Sequence, residues 1–220
     1  MDPIFSPNDT AFPRLAEEFD FVPVYQRFLG DTLTPVSALH RLDDGGPVCL
    51  FESVIEGEKV GRYSFLAVQP FQRFVANRQT VQRWNSGNTS DATQPEYQAQ
   101  VADPLDTFRQ EFSYHVADID GLPPFIGGAV GYAAYDVVRY VEDLPNSPQD
   151  DRGLPDLDFG FYHTLCVFDH AKKTLTVISL ADTRDVADES SAIAARQAAI
   201  QRIEHTTQRL EEPAPWTSST

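Results

Sequence analysis

Apolar residues in this chain come in short runs closed by turn signals, and none reaches the length needed to span a bilayer. The pattern points to hairpins with a few inserted helices. Phe21 to Phe28 reads as a strand, with Pro23 at a sheet edge or strand start. Pro47 to Val54 is apolar on both faces up to Glu52, the pattern of a strand buried on both sides. Arg62 to Val68 alternates: Tyr63, Phe65 and Ala67 fall on one side, Arg62, Ser64, Leu66 and Val68 on the other. Residues 56–61 connect those two runs. Phe71 to Trp84 predicts a hairpin turning near Asn77-Arg78, and Phe159 to Asp169 and Thr174 to Leu180 predict two strands joined at residues 170–173.

Helical signals are interspersed. Thr34 is placed to cap a helix with Pro35 at its first position and Val36, Leu39 and Leu42 on its apolar face, stopping near Asp43-Asp44-Gly45-Gly46. Asp103-Pro104 starts another, with Leu105, Phe108 and Phe112 as its stripe. Val137 to Glu142 makes one or two helical turns. Asp188 to Glu211 is a long helix with a narrow stripe of Ile193, Ile200, Ile203 and Leu210, docked by one face. Asn85 to Ala102 is polar and reads as a surface loop, as does the acidic, proline-rich stretch from Glu142 to Asp156. The mixed order gives an α+β fold, mostly antiparallel sheet with flanking helices.

Charge narrows the function classes. The formal net charge is −16, and no basic patch with interleaved aromatics is present, which argues against nucleic acid and anionic membranes as partners. Cys49 and Cys166 sit in separate strand-like runs and are expected to be reduced core residues. The first residues lack a positive, then apolar, leader pattern, so a cytoplasmic protein is expected. The five histidines show no metal-ligand spacing and are expected at the surface or at caps.

Glu52, Ser53, Arg62 and Ser64 form the chemically richest set. If residues 48–54 and 62–68 pair as a hairpin, a carboxylate, a guanidinium and two hydroxyls converge at the rim of an apolar sheet. Such a set suits a free α-amino acid, whose ammonium needs a carboxylate and whose carboxylate needs a cation or N–H groups. It equally suits a plain cross-strand ion pair between Glu52 and Arg62. Gly127-Gly128-Ala129-Val130-Gly131 lacks the order of a phosphate loop and reads instead as a strand that bends or approaches a neighbour closely. No elbow motif surrounds Ser53, and no residue is assigned a catalytic or metal-binding role.

Two stretches resemble a known family. Leu50-Phe51-Glu52-Ser53 followed by Gly61-Arg62-Tyr63-Ser64-Phe65 is similar to the "LLES…GRYSF" pattern of component I anthranilate synthases. The run from Phe125 to Tyr132 and on to Tyr140 resembles the same family's glycine-rich segment, and Asp156 and Asp169-His170 lie where it has its "PD…VFDH" run. The matches extend from about Phe21 to Leu180. The resemblance implies the N-terminal, regulatory portion of that fold over residues 1–212. Residues 213–220 would begin a linker to a catalytic, chorismate-binding domain that this chain lacks.

It further implies a tryptophan feedback site. Glu52 and Ser53 would hold the amino acid end of L-tryptophan and Val54 the indole, with Arg62 and Ser64 beside them. Phe51 replaces the pattern's second leucine, a conservative change. The whole enzyme of that family makes anthranilate and pyruvate from chorismate with ammonia or glutamine. That implies Mg²⁺ for the full-length protein, none for this chain, and a glutamine amidotransferase, component II, as partner. Two other readings stay open: the N-terminal domain of a 4-amino-4-deoxychorismate synthase component I, and a stand-alone amino-acid-binding module.

Overall fold

In the computed structural model, residues 4–30, 32–52, 61–85, 94–111, 113–146 and 149–212 are described. The chain opens with α1 (Phe12–Glu18), β1 (Phe21–Leu29), α2 (Pro35–Leu42), β2 (Val48–Glu52) and β3 (Tyr63–Val68). It continues through β4 (Gln72–Asn77), β5 (Thr80–Trp84), β6 (Tyr97–Gln100), α3 (Pro104–Glu111) and β7 (Gly128–Ala133). A 3₁₀ helix (Tyr135–Tyr140), β8 (Leu157–Tyr162), β9 (Thr164–Asp169), β10 (Thr174–Asp182) and α4 (Glu189–Glu211) complete it. The fold is α+β, with two five-stranded sheets ordered β1-β10-β9-β3-β2 and β6-β5-β4-β8-β7, antiparallel throughout. Each sheet belongs to its own compact unit: residues 1–68, 114–127 and 163–220 form one, residues 69–113 and 128–162 the other.

In the first unit, one sheet face packs under α1, α2 and α4. Its core includes Phe12, Leu42, Leu66, Cys166, Phe168, Val177 and Ile203. Both main helices start on reciprocal caps. Thr34 Oγ1 accepts from Ser37 N at 3.1 Å while Thr34 N donates to Ser37 Oγ at 3.0 Å. Asp188 and Ser191 repeat the device ahead of α4. α2 buries Pro35, Ala38 and Leu42 and leaves Val36 exposed, so the apolar face is turned from the expected one. α4 docks through one face as expected. Ile200, Ile203 and Leu210 of the expected stripe are buried, with Ala192, Ala199 and Thr206 beside them, but Ile193 departs from it and is exposed.

The Pro47 to Val54 run departs from its expectation. β2 pairs only with β3 and is the edge of its sheet, with Val48 and Phe51 exposed at 38% and 52%. Its two apolar faces do not report burial on both sides here. Residues 53–60 lie outside the described residues. β1, with Pro23, occupies the opposite edge, where a missing N–H costs least.

The second unit has its own core of Phe74, Ala76, Val81, Leu157 and Phe161, with Phe108 of α3 stacked 5.1 Å from Phe74 and 4.5 Å from Phe159. Asp103 Oδ1 caps α3 by accepting from Leu105 N and Asp106 N. Phe112 lies outside the described residues. The Arg78 turn of the β4–β5 hairpin, at φ +52°, is held by Asp156 Oδ2, which accepts from Arg78 N and from the Tyr140 hydroxyl, both at 2.7 Å. Gly131 confirms the close-approach reading: a Cβ there would lie 2.0 Å from Asp158 O.

Three sequence expectations fail. Part of the Asn85 to Ala102 stretch is β6, paired to β5 through polar side chains such as Gln98 with Gln82 and Gln100 with Thr80. Phe159 to Asp169 is two strands in two sheets, broken at His163. His163 is not a surface histidine. Burial and then the Arg202 charge depress its pKa to about 3. His40, His115, His170 and His205 are exposed as expected.

Candidate functional site

The pairing of β2 with β3 sets Glu52 directly across from Ser64, with Cβ atoms about 5 Å apart. β3 in turn pairs with β9, so Tyr63 faces Asp169 and Ser64 faces Phe168. These registers bring the β9–β10 turn against the start of β3. His170 N donates to Arg62 O at 2.9 Å. The sequence placed this turn correctly but did not show β9 beside β3, so Asp169 and His170 went unassigned.

Arg62 is held by Asp169, not by Glu52. Its Nη2 donates to Asp169 Oδ2 at 2.9 Å, and its Nε reaches Oδ2 and Oδ1 at 3.2 and 3.3 Å. The guanidinium lies 4.8 Å from the Tyr63 ring centroid. Asp169 is buried, and its Oδ1 also accepts from Ala171 N and Lys172 N. Burial alone would raise the Asp169 carboxyl, but the Arg62 hydrogen bond and these backbone N–H groups hold it below its ordinary value. The same hydrogen bond raises the Arg62 pKa.

Ser64 is 1% exposed, and its Oγ lies 2.7 Å from His170 Nε2. Glu52 is exposed and has no hydrogen bond or ion pair among the described residues. Ser53 and Val54, the other two predicted site residues, lie outside the described residues. Glu52 and Ser64, with its histidine, thus share one sheet face at this strand end, and the Arg62–Asp169 clamp lies with Tyr63 on the alternate face.

Two cavities are lined by residues of this unit. One, beside Asp169, holds about 10 Å³, room for roughly one water. The other is a cleft of about 420 Å³ lined by Phe28, Leu33, Arg41, Leu175 and Leu210. It lies at the far end of the cross-sheet row Glu52, Ser64, Phe168, Leu175, Phe28. Four strand spacings, about 19 Å, separate the ends of that row. Among the described residues no group of three His, Cys, Asp or Glu could hold a metal ion. No described helix is long and apolar enough to cross a membrane.

The profile of the chorismate binding enzyme family matches residues 50–220. The chain belongs to that family. Among its relatives, the anthranilate synthase alpha subunit 2 (chloroplastic) of Arabidopsis thaliana is 36% identical over 218 residues, covering 94% of this chain and 34% of that protein. Anthranilate synthase component 1 of Acetivibrio thermocellus is 33% identical over 176 residues, covering 80% of this chain and 34% of that one. The crystal structure of anthranilate synthase component I from Streptococcus pneumoniae TIGR4 superposes with a TM-score of 0.52 at 26% identity. It covers 85% of this chain and 37% of that one. The chain thus spans about a third of the length of these anthranilate synthase component I relatives. The "LLES" and "GRYSF" stretches resemble the same kind of protein as these relatives.

Proposed function

We propose that this chain is the N-terminal regulatory part of an anthranilate synthase component I and carries half of a tryptophan feedback site. The observation that carries this reading is Glu52, an exposed carboxylate without a partner among the described residues, set across from a buried serine hydroxyl at a strand end. A carboxylate left open in this way is free to accept the ammonium of an amino acid. Glu52 and Ser53 take the amino acid end of L-tryptophan, Val54 packs on the indole, and Ser64 and the clamped Arg62 border the site. Arg62 is already paired with Asp169, so its charge is largely neutralised there, and Glu52 is the group left to take the α-ammonium.

The whole protein would convert chorismate with ammonia or glutamine to anthranilate and pyruvate, in tryptophan biosynthesis. Its partners would be the C-terminal chorismate-binding domain and a glutamine amidotransferase, component II, with Mg²⁺ at the catalytic site. A cytoplasmic place fits the free thiols of Cys49 and Cys166. Tryptophan binding would act by favouring one state of the whole enzyme over another. The test is a calorimetric titration of this chain with L-tryptophan, L-phenylalanine and L-leucine. Saturable binding selective for L-tryptophan is expected. Equal binding of all three, or of none, would contradict the feedback reading.

A further inference from the structure

The cleft of about 420 Å³ in the first unit lies within the size range of small-molecule sites. Phe28 at the end of β1 pairs in register with Leu175 of β10, and both line the cleft. Leu33, from the loop after β1, and Leu210, from the last turn of α4, complete its apolar lining. Arg41 of α2 and Glu211 of α4 are its two charged residues. The two helix ends are tied together across it. Arg41 Nη1 donates to Leu210 O, and Arg209 Nη2 donates back to Arg41 O and Leu42 O.

Arg41 uses only part of its donor set in that tie. Its Nε is covered and has no acceptor among the described residues, where buried donors are as a rule satisfied. Nε and Nη2 form one edge of a guanidinium, and their parallel N–H groups match the two oxygens of a carboxylate. Three other arginines of this chain use the same edge in that way: Arg62, Arg73 and Arg184 each donate from Nε and Nη2 to an aspartate. Arg41 makes no ion pair among the described residues. Capping α4 takes one N–H, and Nη1 supplies it.

We propose that this cleft binds a small monocarboxylic acid with an apolar body. The carboxylate sits on the Nε–Nη2 edge of Arg41, and the hydrocarbon part lies against Phe28, Leu33, Leu175 and Leu210. The volume equals that of about fourteen waters, which apolar walls hold poorly and an apolar body displaces favourably. Glu211 is exposed and makes no ion pair among the described residues, so its charge opposes a second anionic group and selects a single carboxylate. The proposal does not rest on the amino-acid reading of Glu52, which stands at the other end of the cross-sheet row.

The test is an NMR titration of the full 220-residue chain with hexanoate, 1-hexanol and adipate, with melting temperatures measured in parallel. The titrations are repeated on Arg41→Gln, Arg41→Lys and Glu211→Gln. Arg41→Lys keeps a charge and a donor for Leu210 O, so it separates the carboxylate seat from the helix cap. The expected result is saturable binding of hexanoate, weakened about tenfold in 1-hexanol and in Arg41→Gln and about fivefold in Arg41→Lys. Adipate should bind more weakly than hexanoate, and Glu211→Gln should narrow that gap. No saturable binding of hexanoate, or equal binding of 1-hexanol, would overturn the site, and that comparison needs no variant. Undiminished binding of hexanoate by Arg41→Gln or by Arg41→Lys would overturn the carboxylate seat. Adipate binding as tightly as hexanoate would overturn the selection of a single charge.

Discussion

Arginine–aspartate clamps occur on both sheets, and Arg73–Asp158 of the second and Arg62–Asp169 of the first sit in different company. In the second sheet, Arg73 Nε and Nη2 donate to the two oxygens of Asp158 at 2.8 and 2.6 Å, between strands β4 and β8. The Arg73 guanidinium also lies 5.6 Å from the Trp84 ring centroid. In the first sheet, Arg62 and Asp169 make the same kind of pair at the strand end whose alternate face carries an open Glu52 and a buried Ser64 tied to His170. The same chemistry serves packing in one place and, in the other, fixes the strand end that carries an open carboxylate on its alternate face. A clamp marks a functional rim when a neighbouring group of opposite need is left without a partner.

That contrast predicts that damage to the second sheet costs stability and damage to the rim of the first costs ligand binding. Gly131→Ala gives the largest expected stability effect. Its Cβ would meet Asp158 O at 2.0 Å and Phe159 Cα at 2.6 Å, backbone atoms that cannot turn aside. Chemical denaturation should show a loss of about 3 kcal/mol. A loss below about 1 kcal/mol would mean that β7 and β8 shift apart freely.

His163, in the first unit, adds a pH test. Its folded pKa is depressed to about 3, by burial first and by Arg202 second, while an unfolded histidine titrates near 6.5. Below that value the unfolded chain binds a proton that the folded chain refuses, so stability falls as pH falls. Between pH 7 and pH 5 the loss should be about 2 kcal/mol, and His163→Gln should flatten that slope. An equal slope in the variant would place the proton uptake elsewhere.

The clamps themselves come next in size. Asp158→Asn should cost about 1 kcal/mol, discounted because both partners are partly exposed, and should leave L-tryptophan affinity unchanged. Asp169→Asn should instead lower that affinity about tenfold by releasing Arg62. Asp169 titrates below its ordinary value, so its clamp holds at neutral pH and weakens only as pH drops below the usual carboxylate range. If Asp158→Asn weakened binding as much as Asp169→Asn, the contrast between the two sheets would fail. The α4 cap gives a smaller effect still: Asp188→Ala should cost about 1 kcal/mol or less, with no change in binding.

Much of the fold was legible in the sequence because the signals were local. Thr34-Pro35 and Asp103-Pro104 announced helix starts, and the Asn77-Arg78 and residue 170–173 turns announced hairpins. Long-range order was less visible. β6 is held by glutamine and threonine pairs that carry no apolar alternation. The apolar faces of β2 gave no hint that it is an edge strand, because burial depends on partners that local pattern does not name. The rim was half legible for the same reason. Glu52 and Ser64 meet across a hairpin within one stretch of sequence, whereas Asp169 and His170 arrive from more than a hundred residues away through the β3–β9 register. The Glu52–Arg62 ion pair that local spacing allowed gives way to Arg62–Asp169, because the incoming turn offers a buried carboxylate whose Oδ1 is already organised by two backbone N–H groups.

The most direct test of the account is the affinity of this chain for L-tryptophan beside that of a Glu52→Ala variant, measured by calorimetry at neutral pH with equal folding confirmed by thermal melts. The account predicts saturable binding to the unsubstituted chain and at least a tenfold weakening when the open carboxylate is removed. Binding that is unchanged by the substitution, or no binding by the unsubstituted chain, would contradict it.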